Sequence, residues 1–438
     1  MSKQTELVPF MCKAPRVLSG KLLRGLVFTC VACAGTRTPN VAPGGEAISA
    51  SVVTGFPSGP PAESYATGAL FGAVTDSLAL HLAAEVDRTE RERGQPPLTH
   101  DARLDRLAYD LALLTGEMNV PASDAIAFLL SYYGLVEPEP NLILIGGEDG
   151  AEVTAVADLR RQLQSISTSS AWRRVGIGVR RGAGAWTAVL AFHEHHLDIE
   201  PIPRKLPSGG HAPVTGRVEA TFRSPEVLVA SPRGTVHKLA AHVQQNRFAA
   251  ALECNLGDGA YQVEVSAEDA RGPTVLANFP VYCGVDPPAI FSVRKSPRVR
   301  ATDAAAVERE ILDLLDRDRA ANGLPALVRD PRLAQIARGY SREMAEAGDV
   351  AHFSRRSGNA VDRVRAAGVL PMPRVIAENV GRDYAAANAE HGFMASPGHR
   401  DNILNRALTH VGVGVAMGKQ EDGAVPLFVT QLFAGWGQ

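Results

Sequence analysis

The chain has 438 residues, which corresponds to about three domains of ordinary size. Its 45 Lys and Arg against 47 Asp and Glu leave a formal net charge of −2, which excludes a strongly basic nucleic-acid binder and an acidic tail protein. Aromatics supply 6% of the residues and the wider hydrophobic set 45%, so the cores must be built mainly from Ala, Val and Leu.

The most apolar run, Gly25 to Gly35 (GLVFTCVACAG), is well short of the roughly 18 residues needed to span a membrane. It follows Lys13, Arg16, Lys21 and Arg24 with no acid among them. A basic stretch, a short apolar stretch and then small residues make the pattern of a secretory signal, which assigns residues 1–35, with Met11 as an alternative start. Cys33 after Val31-Ala32 and Cys30 after Phe28-Thr29 each resemble a bacterial lipoprotein acylation site. That implies a lipid anchor as the one membrane contact, with plain export as the alternative. Cys12, Cys30 and Cys33 fall in this segment. Cys254 and Cys283 remain, and their position in a strand-rich segment predicts one disulfide in an oxidising compartment.

Residues 36–74 read as a flexible linker, because the stretch through Ala66 is rich in Pro, Gly, Ser and Ala without an apolar period. Leu78, Leu82 and Val86 then mark one helical stripe. Leu104, Leu107, Leu111 and Leu114 mark a second helix over 102–116. Strands are expected at Val175 to Val179 (VGIGV) and Trp186 to Phe192, closing a first domain over 75–198. From 199 to 290 the pattern changes to short alternating runs punctuated by Pro and Gly: Val214 to Phe222, Glu226 to Val229, Arg247 to Leu252 and Gly259 to Ala267. Such spacing predicts a β-sandwich. GDGAYQVEVSAED (Gly257 to Asp269) resembles a hairpin of an immunoglobulin-like extracellular domain. Residues 291–305 read as a second linker, and helical periodicity returns with Val307, Ile311, Leu314 and Leu315.

An internal repeat joins the two ends. At a constant offset of 229 residues and without a gap, Asp87, Gly94, Pro96, Leu98, Asp101, Arg103, Leu104 and Ala108 coincide with Asp316, Gly323, Pro325, Leu327, Asp330, Arg332, Leu333 and Ala337. VGIGV from Val175 is matched by VGVGV from Val411. Two copies of one domain are therefore expected to flank the β-sandwich.

The second copy carries AHFS (Ala351 to Ser354), AENV (Ala377 to Val380), SPGHRDNIL (Ser396 to Leu404) and HVGVGVAM (His410 to Met417), in that order. Together these resemble the CAP superfamily (cysteine-rich secretory proteins, antigen 5, pathogenesis-related 1) in its bacterial branch, over residues 306–438. The resemblance implies an α+β fold, an α-β-α sandwich with an open central cavity. Its cavity residues fall on His352, Glu378 and His399. The family's second glutamate lies three residues after a Trp; here Phe393 and Ser396 stand at those positions. Two imidazoles and a carboxylate from different elements could hold zinc or another divalent metal with an open position. The same trio supplies candidate catalytic groups, a general base and its orienter, and the bland alternative is a polar cluster that holds the cavity walls together. His193, His195 and His196 (HEHH) are a further histidine group, expected to be inert. In the first copy Ser123 stands at the offset of His352, and LILIGG (Leu142 to Gly147) occupies the region of Glu378. That copy reads as a degenerate CAP-like domain used for packing or docking.

The combined expectation is an exported protein, extracellular or anchored to the envelope. It binds an extracellular lipid, glycan or protein ligand through the C-terminal cavity, with metal as a candidate aid, and no nucleic acid. The alternatives are a secreted peptidase or esterase using the His/Glu cavity, and a structural envelope protein. No Ser or Cys nucleophile stands beside a suitable His in sequence, which weighs against an enzyme.

Overall fold

Asp76 begins the first helix by accepting hydrogen bonds from the backbone N–H groups of Leu78 and Ala79, and α1 (Ser77–Glu92) then buries Leu78, Leu82 and Val86. The computed structural model describes residues 10–12, 50–51, 56–66, 76–115, 123–165, 172–182, 184–291, 293–294, 303–419 and 425–436. After α1 come β1 (Thr99–His100), α2 (Ala102–Thr115), α3 (Ser123–Tyr132), β2 (Asn141–Glu148), α4 (Glu152–Ser165), β3 (Trp172–Gly182) and β4 (Ala185–Glu194). The sheet runs β1-β3-β4-β2, with β1 and β3 parallel and the other neighbours antiparallel. Phe10–Cys12 adds a parallel strand beside β2. Cys30, Cys33 and the other residues of the expected signal beyond that strand lie outside the described residues.

Alternation along β3 decides its packing. Val175, Ile177 and Val179 enter the core shared with α1 and α4. Gly176 and Gly178 face α2, where a Cβ on Gly176 would lie 2.2 Å from the carbonyl carbon of Leu104. Only glycine lets this helix approach so closely.

The expected tether is not a tether throughout. Within 56–66, Phe56 is buried with α2 and α3, and Tyr65 is buried in the core of the central segment. Tyr65 pairs with Ile202, shares a 2.9 Å hydrogen bond with the hydroxyl of Ser131 and donates to the carbonyl of Pro280 at 2.5 Å. Two large aromatics outweigh the Pro/Gly/Ser composition around them.

The central segment is β-rich. One sheet contains β5 (Leu197–Ile199), β6 (His211–Val218), β9 (His242–Gln244) and β10 (Arg247–Glu253). The other contains β7 (Arg223–Ala230), β8 (Val236–Lys238), β11 (Gly259–Asp269) and β12 (Gly272–Cys283). Both sheets bury side chains in one core that includes Val214, Phe248, Val227, Val263, Val265 and Phe279. Cys254, just after β10, is bonded to Cys283 at the end of β12, with Cα atoms 5.7 Å apart, so the disulfide ties the two sheets together. Replacing both cysteines with Ala should cost about 3–4 kcal/mol through the freed unfolded chain. Urea unfolding of the full chain followed on Tyr fluorescence would check this, and an unchanged midpoint would defeat it.

Asp303 caps α5 (Ala304–Ala321), which therefore starts three residues before the apolar period at Val307. It is followed by β13 (Val328–Arg329), α6 (Pro331–Ala347), α7 (Ala360–Ala366), β14 (Val375–Asp383), α8 (Ala386–Ala395), α9 (Pro397–Leu404), β15 (His410–Met417) and β16 (Leu427–Gly435). The sheet order is β13-β15-β16-β14, again parallel for the first pair and antiparallel for the rest. Val411, Val413 and Val415 pack against α5, α8 and α9. Gly412 and Gly414 lie under α6, with a Cβ on either only 2.1 Å from its backbone. Leu432 and Ala434 meet Leu333 and Ala337 of α6 and Val364 of α7. This gives an α-β-α arrangement with β14 as an edge strand. Among the described residues no helix is long and apolar enough to cross a membrane.

The central and C-terminal segments touch at several points. Arg400 donates to the Gly234 carbonyl at 2.9 Å, Asn278 to the Ala395 carbonyl at 3.3 Å, and Arg271 pairs with Asp349 at 2.9 Å.

Candidate functional site

The edge strand β14 presents Glu378 and Asn379 to opposite faces of the sheet. Glu378 turns toward the side of α6 and α7. Its Oε1 lies 3.1 Å from His352 Nδ1, and its Oε2 accepts from Arg363 at 2.5 Å. A carboxylate accepts only, so in this contact the Nδ1–H of His352 is the donor. His352 comes from the loop after α6, where the N–H of Phe353 is held by the carbonyl of Arg271 at 2.9 Å.

His399 lies in the first turn of α9, not in a turn ahead of it. Ser396 is the N-cap and Pro397 the first helical residue, the position where its missing N–H costs nothing. The two imidazole ring centres are 6.4 Å apart, and the Phe393 ring meets His399 edge-on at 5.3 Å. Burial, with a further contribution from His352, pushes the His399 imidazole down to about 3, so it is neutral at physiological pH.

Under this layer lies a chain of amides. Asn379 donates to the His399 carbonyl at 3.1 Å and to Gln431 at 2.9 Å, Asn402 donates to Asn379 at 2.9 Å, and Gln431 donates to Glu390 at 2.6 Å. The network fixes α9, and hence His399, against the edge strand. Arg400, bonded to the Gly234 carbonyl at 2.9 Å and the Met394 carbonyl at 3.2 Å, holds the same segment from the other side.

His352, Glu378 and His399 line one cavity of about 320 Å³ beside β14. Its opposite wall belongs to the central segment: Leu228, Glu264, Ser266, Pro273, Thr274 and Val275. Sequence reasoning missed both Arg363 and Glu264. Arg363 stands in no motif and Glu264 in a hairpin pattern that speaks only of fold, and each lies in a different element from the group it serves.

The residues as they stand do not fit a metal. Among the described residues, no group of three His, Cys, Asp or Glu is placed to hold one. The cause is local: Glu378 gives one oxygen to His352 and the other to Arg363, so both are already engaged. Zinc or another divalent metal at His352, His399 and Glu378, the expectation from the sequence, would require Glu378 to exchange Arg363 for the ion. The HEHH group likewise holds hydrogen bonds to carboxylates, His195 with Glu137 at 3.0 Å and His196 with Glu219 at 2.6 Å.

Comparison with known proteins bears on the same region. The profile of the cysteine-rich secretory protein family (CAP) matches residues 312–433. The uncharacterized membrane protein YlbC of Bacillus subtilis (strain 168) is 34% identical over 129 residues, 29% of this chain and 36% of that protein. The uncharacterized protein YkwD of the same organism is 30% identical over 135 residues, 31% of this chain and 49% of that protein. The chain thus spans between a third and a half of the length of these curated relatives. Among solved structures, an extracellular protein containing an SCP domain from Bacillus anthracis is similar at 20% identity and a TM-score of 0.27, covering 51% of this chain and 81% of that one. With its motifs in order, its α-β-α arrangement, the family profile over 312–433 and the two Bacillus subtilis relatives, the C-terminal part of the chain is a bacterial CAP (SCP) region.

Proposed function

We propose that this is an exported CAP-region protein that binds an extracellular ligand in the cavity beside β14, with His352, Glu378 and His399 as the contacting polar groups. The observation that carries the reading is the convergence of those three side chains, from three separate elements, on one cavity of about 320 Å³. Polar groups supplied by a strand, a helix start and the loop after α6, and backed by a second hydrogen-bonded layer, suit a pre-organised site. In this reading no metal takes part, because Arg363 already balances the carboxylate.

The rest of the chain is read as support for that site. Residues 75–198 are a second, degenerate copy of the domain at 306–438. The equal strand orders, the matching glycine contacts under α2 and α6 and the gap-free repeat support this. Apolar Leu142 and Ile143 on β2 occupy the strand position that carries Glu378 and Asn379 in the other copy, which favours packing or docking over ligand binding. Residues 199–290 are an immunoglobulin-like sandwich, supported by two sheets over one core and a disulfide between them. The signal at residues 1–35, with lipid on Cys30 or Cys33, accounts for export.

The test is a titration of the full chain, labelled with ¹⁵N on histidine, with dodecanoate and with chitobiose. Binding in the cavity should move the ring signals of His352 and His399 and leave those of His211 and His237 in place. Ring signals that stay fixed with both probes, or that move equally in all histidines, would reject the cavity as the binding site.

A further inference from the structure

Glu264 brings a second carboxylate to the cavity from outside the CAP region. It stands on β11 between Val263 and Val265, which enter the core of the central segment, so alternation turns it to the outer face of its sheet. That face is covered by α9. The Glu264 residue is 1% exposed. Its Oε2 accepts from the Ser396 hydroxyl at 2.5 Å, and its Oε1 from the N–H of Gly398 at 3.2 Å.

What Glu264 lacks is a cation. Among the described residues, no Lys, Arg or His forms an ion pair with it, whereas Glu378 across the cavity has Arg363. His399 is neutral. Buried carboxylates are ordinarily paired, because taking the charge out of water costs several kcal/mol. The strain on this one is visible: burial, only partly offset by Ser396 and Gly398, pushes its carboxyl up to about 7. Two donors leave lone pairs unused on a group that can accept about four hydrogen bonds. Beside it the cavity wall is apolar, with Leu228, Val275 and Ile376.

We infer that the cavity takes a ligand bearing a protonated amine, with Glu264 as its counter-ion and the apolar wall covering the attached carbon chain. This rests on the cavity being the binding site. A cation there would favour the ionised form of Glu264 and bring the charges of the cavity into balance. An anionic ligand would face two carboxylates with one guanidinium between them.

The experiment uses the full chain at pH 7 and two matched pairs of probes: n-butylammonium against n-pentanol, and glucosamine against glucose. Dissociation constants are read from the ¹⁵N ring signals of His352 and His399. The expected result is a preference of at least ten-fold for the charged member of one pair, and its loss in Glu264→Gln while binding of the neutral member is unchanged. A preference within the first pair identifies a lysine-like chain, and one within the second an amino sugar. Equal affinity within both pairs, or a preference that survives in Glu264→Gln, overturns the inference. The wild-type comparison decides the matter alone should the variant fail to fold. Saturable binding of the neutral probes without charge preference defeats the inference but keeps the cavity as a binding site. Absence of binding by all four probes defeats both.

Discussion

Replacing Arg363 with Ala should destabilise the C-terminal region by about 3–5 kcal/mol, the cost of leaving a buried ion without its partner. Both side chains of the pair are almost wholly covered, 5% exposed for Arg363 and 4% for Glu378. Arg363 also lies with its guanidinium carbon 3.4 Å from the centre of the Tyr340 ring and donates to the Gly358 carbonyl at 2.5 Å. Alanine removes all three interactions at once. A double variant, Arg363→Met with Glu378→Gln, should recover most of the loss, since an uncharged pair of similar volume has no ion to desolvate. Denaturant unfolding at pH 7 would measure both. A loss below about 1 kcal/mol in the single variant would mean that water reaches Glu378 and that the pair contributes no more than an exposed one.

Glu390→Gln should stabilise the protein at neutral and alkaline pH and change little in acid. Glu390 is buried on α8, and burial together with the charge of Asp318 raises its carboxyl from 4.5 to about 8, with the amide of Gln431 opposing. The folded state therefore favours the protonated group. Its contribution is complete below the unfolded value near 4.5 and is lost as pH rises toward 8, at about 1.4 kcal/mol per pH unit. Gln does not titrate and can still accept from Gln431. The gap between variant and wild type should thus open between pH 5 and pH 8 by about 2–4 kcal/mol and stay flat above that. Unfolding curves at pH 5, 6.5 and 8 would show it. A gap that is constant across this window would mean that Glu390 titrates as it does in the unfolded chain.

The periodic parts of the molecule were legible because periodicity carries its own signal. The stripe Leu104, Leu107, Leu111 and Leu114 announces α2, and VGIGV and VGVGV announce strands with valines on one face and glycines on the other. Cys254 and Cys283, the two cysteines outside the expected signal, likewise left one pairing to expect. His352, Glu378 and His399 were legible only through the motifs that carry them, since none of the three is needed for its local structure. Arg363 was not, because an arginine on the short amphipathic helix α7 reads as a solvated charge. Glu264 was hidden by the rule that found the strand around it: alternation assigns its side to water, and only the packing of another segment takes the water away. Arg363 as the partner of Glu378 was hidden for a related reason: a ligand set can be counted from a sequence, but a guanidinium bonded to one of its members cannot.

Tyr65 has a consequence for the order in which the chain is made. Its hydroxyl reaches Pro280, 215 residues further along the chain, and its ring packs on Phe279 with centroids 4.6 Å apart. The residue leaves the ribosome long before its slot exists. At about 5–20 residues per second the wait is about 10–40 s, during which the whole first helical unit can fold around Phe56. The central sheets are thus closed by a plug that was synthesised first and arrives already tethered to a folded neighbour. Residues 199–290 made alone would keep an empty, Tyr-sized groove beside Phe279. Supplied in trans, a peptide of residues 56–66 would have to fill that groove without the effective concentration that the connected chain provides.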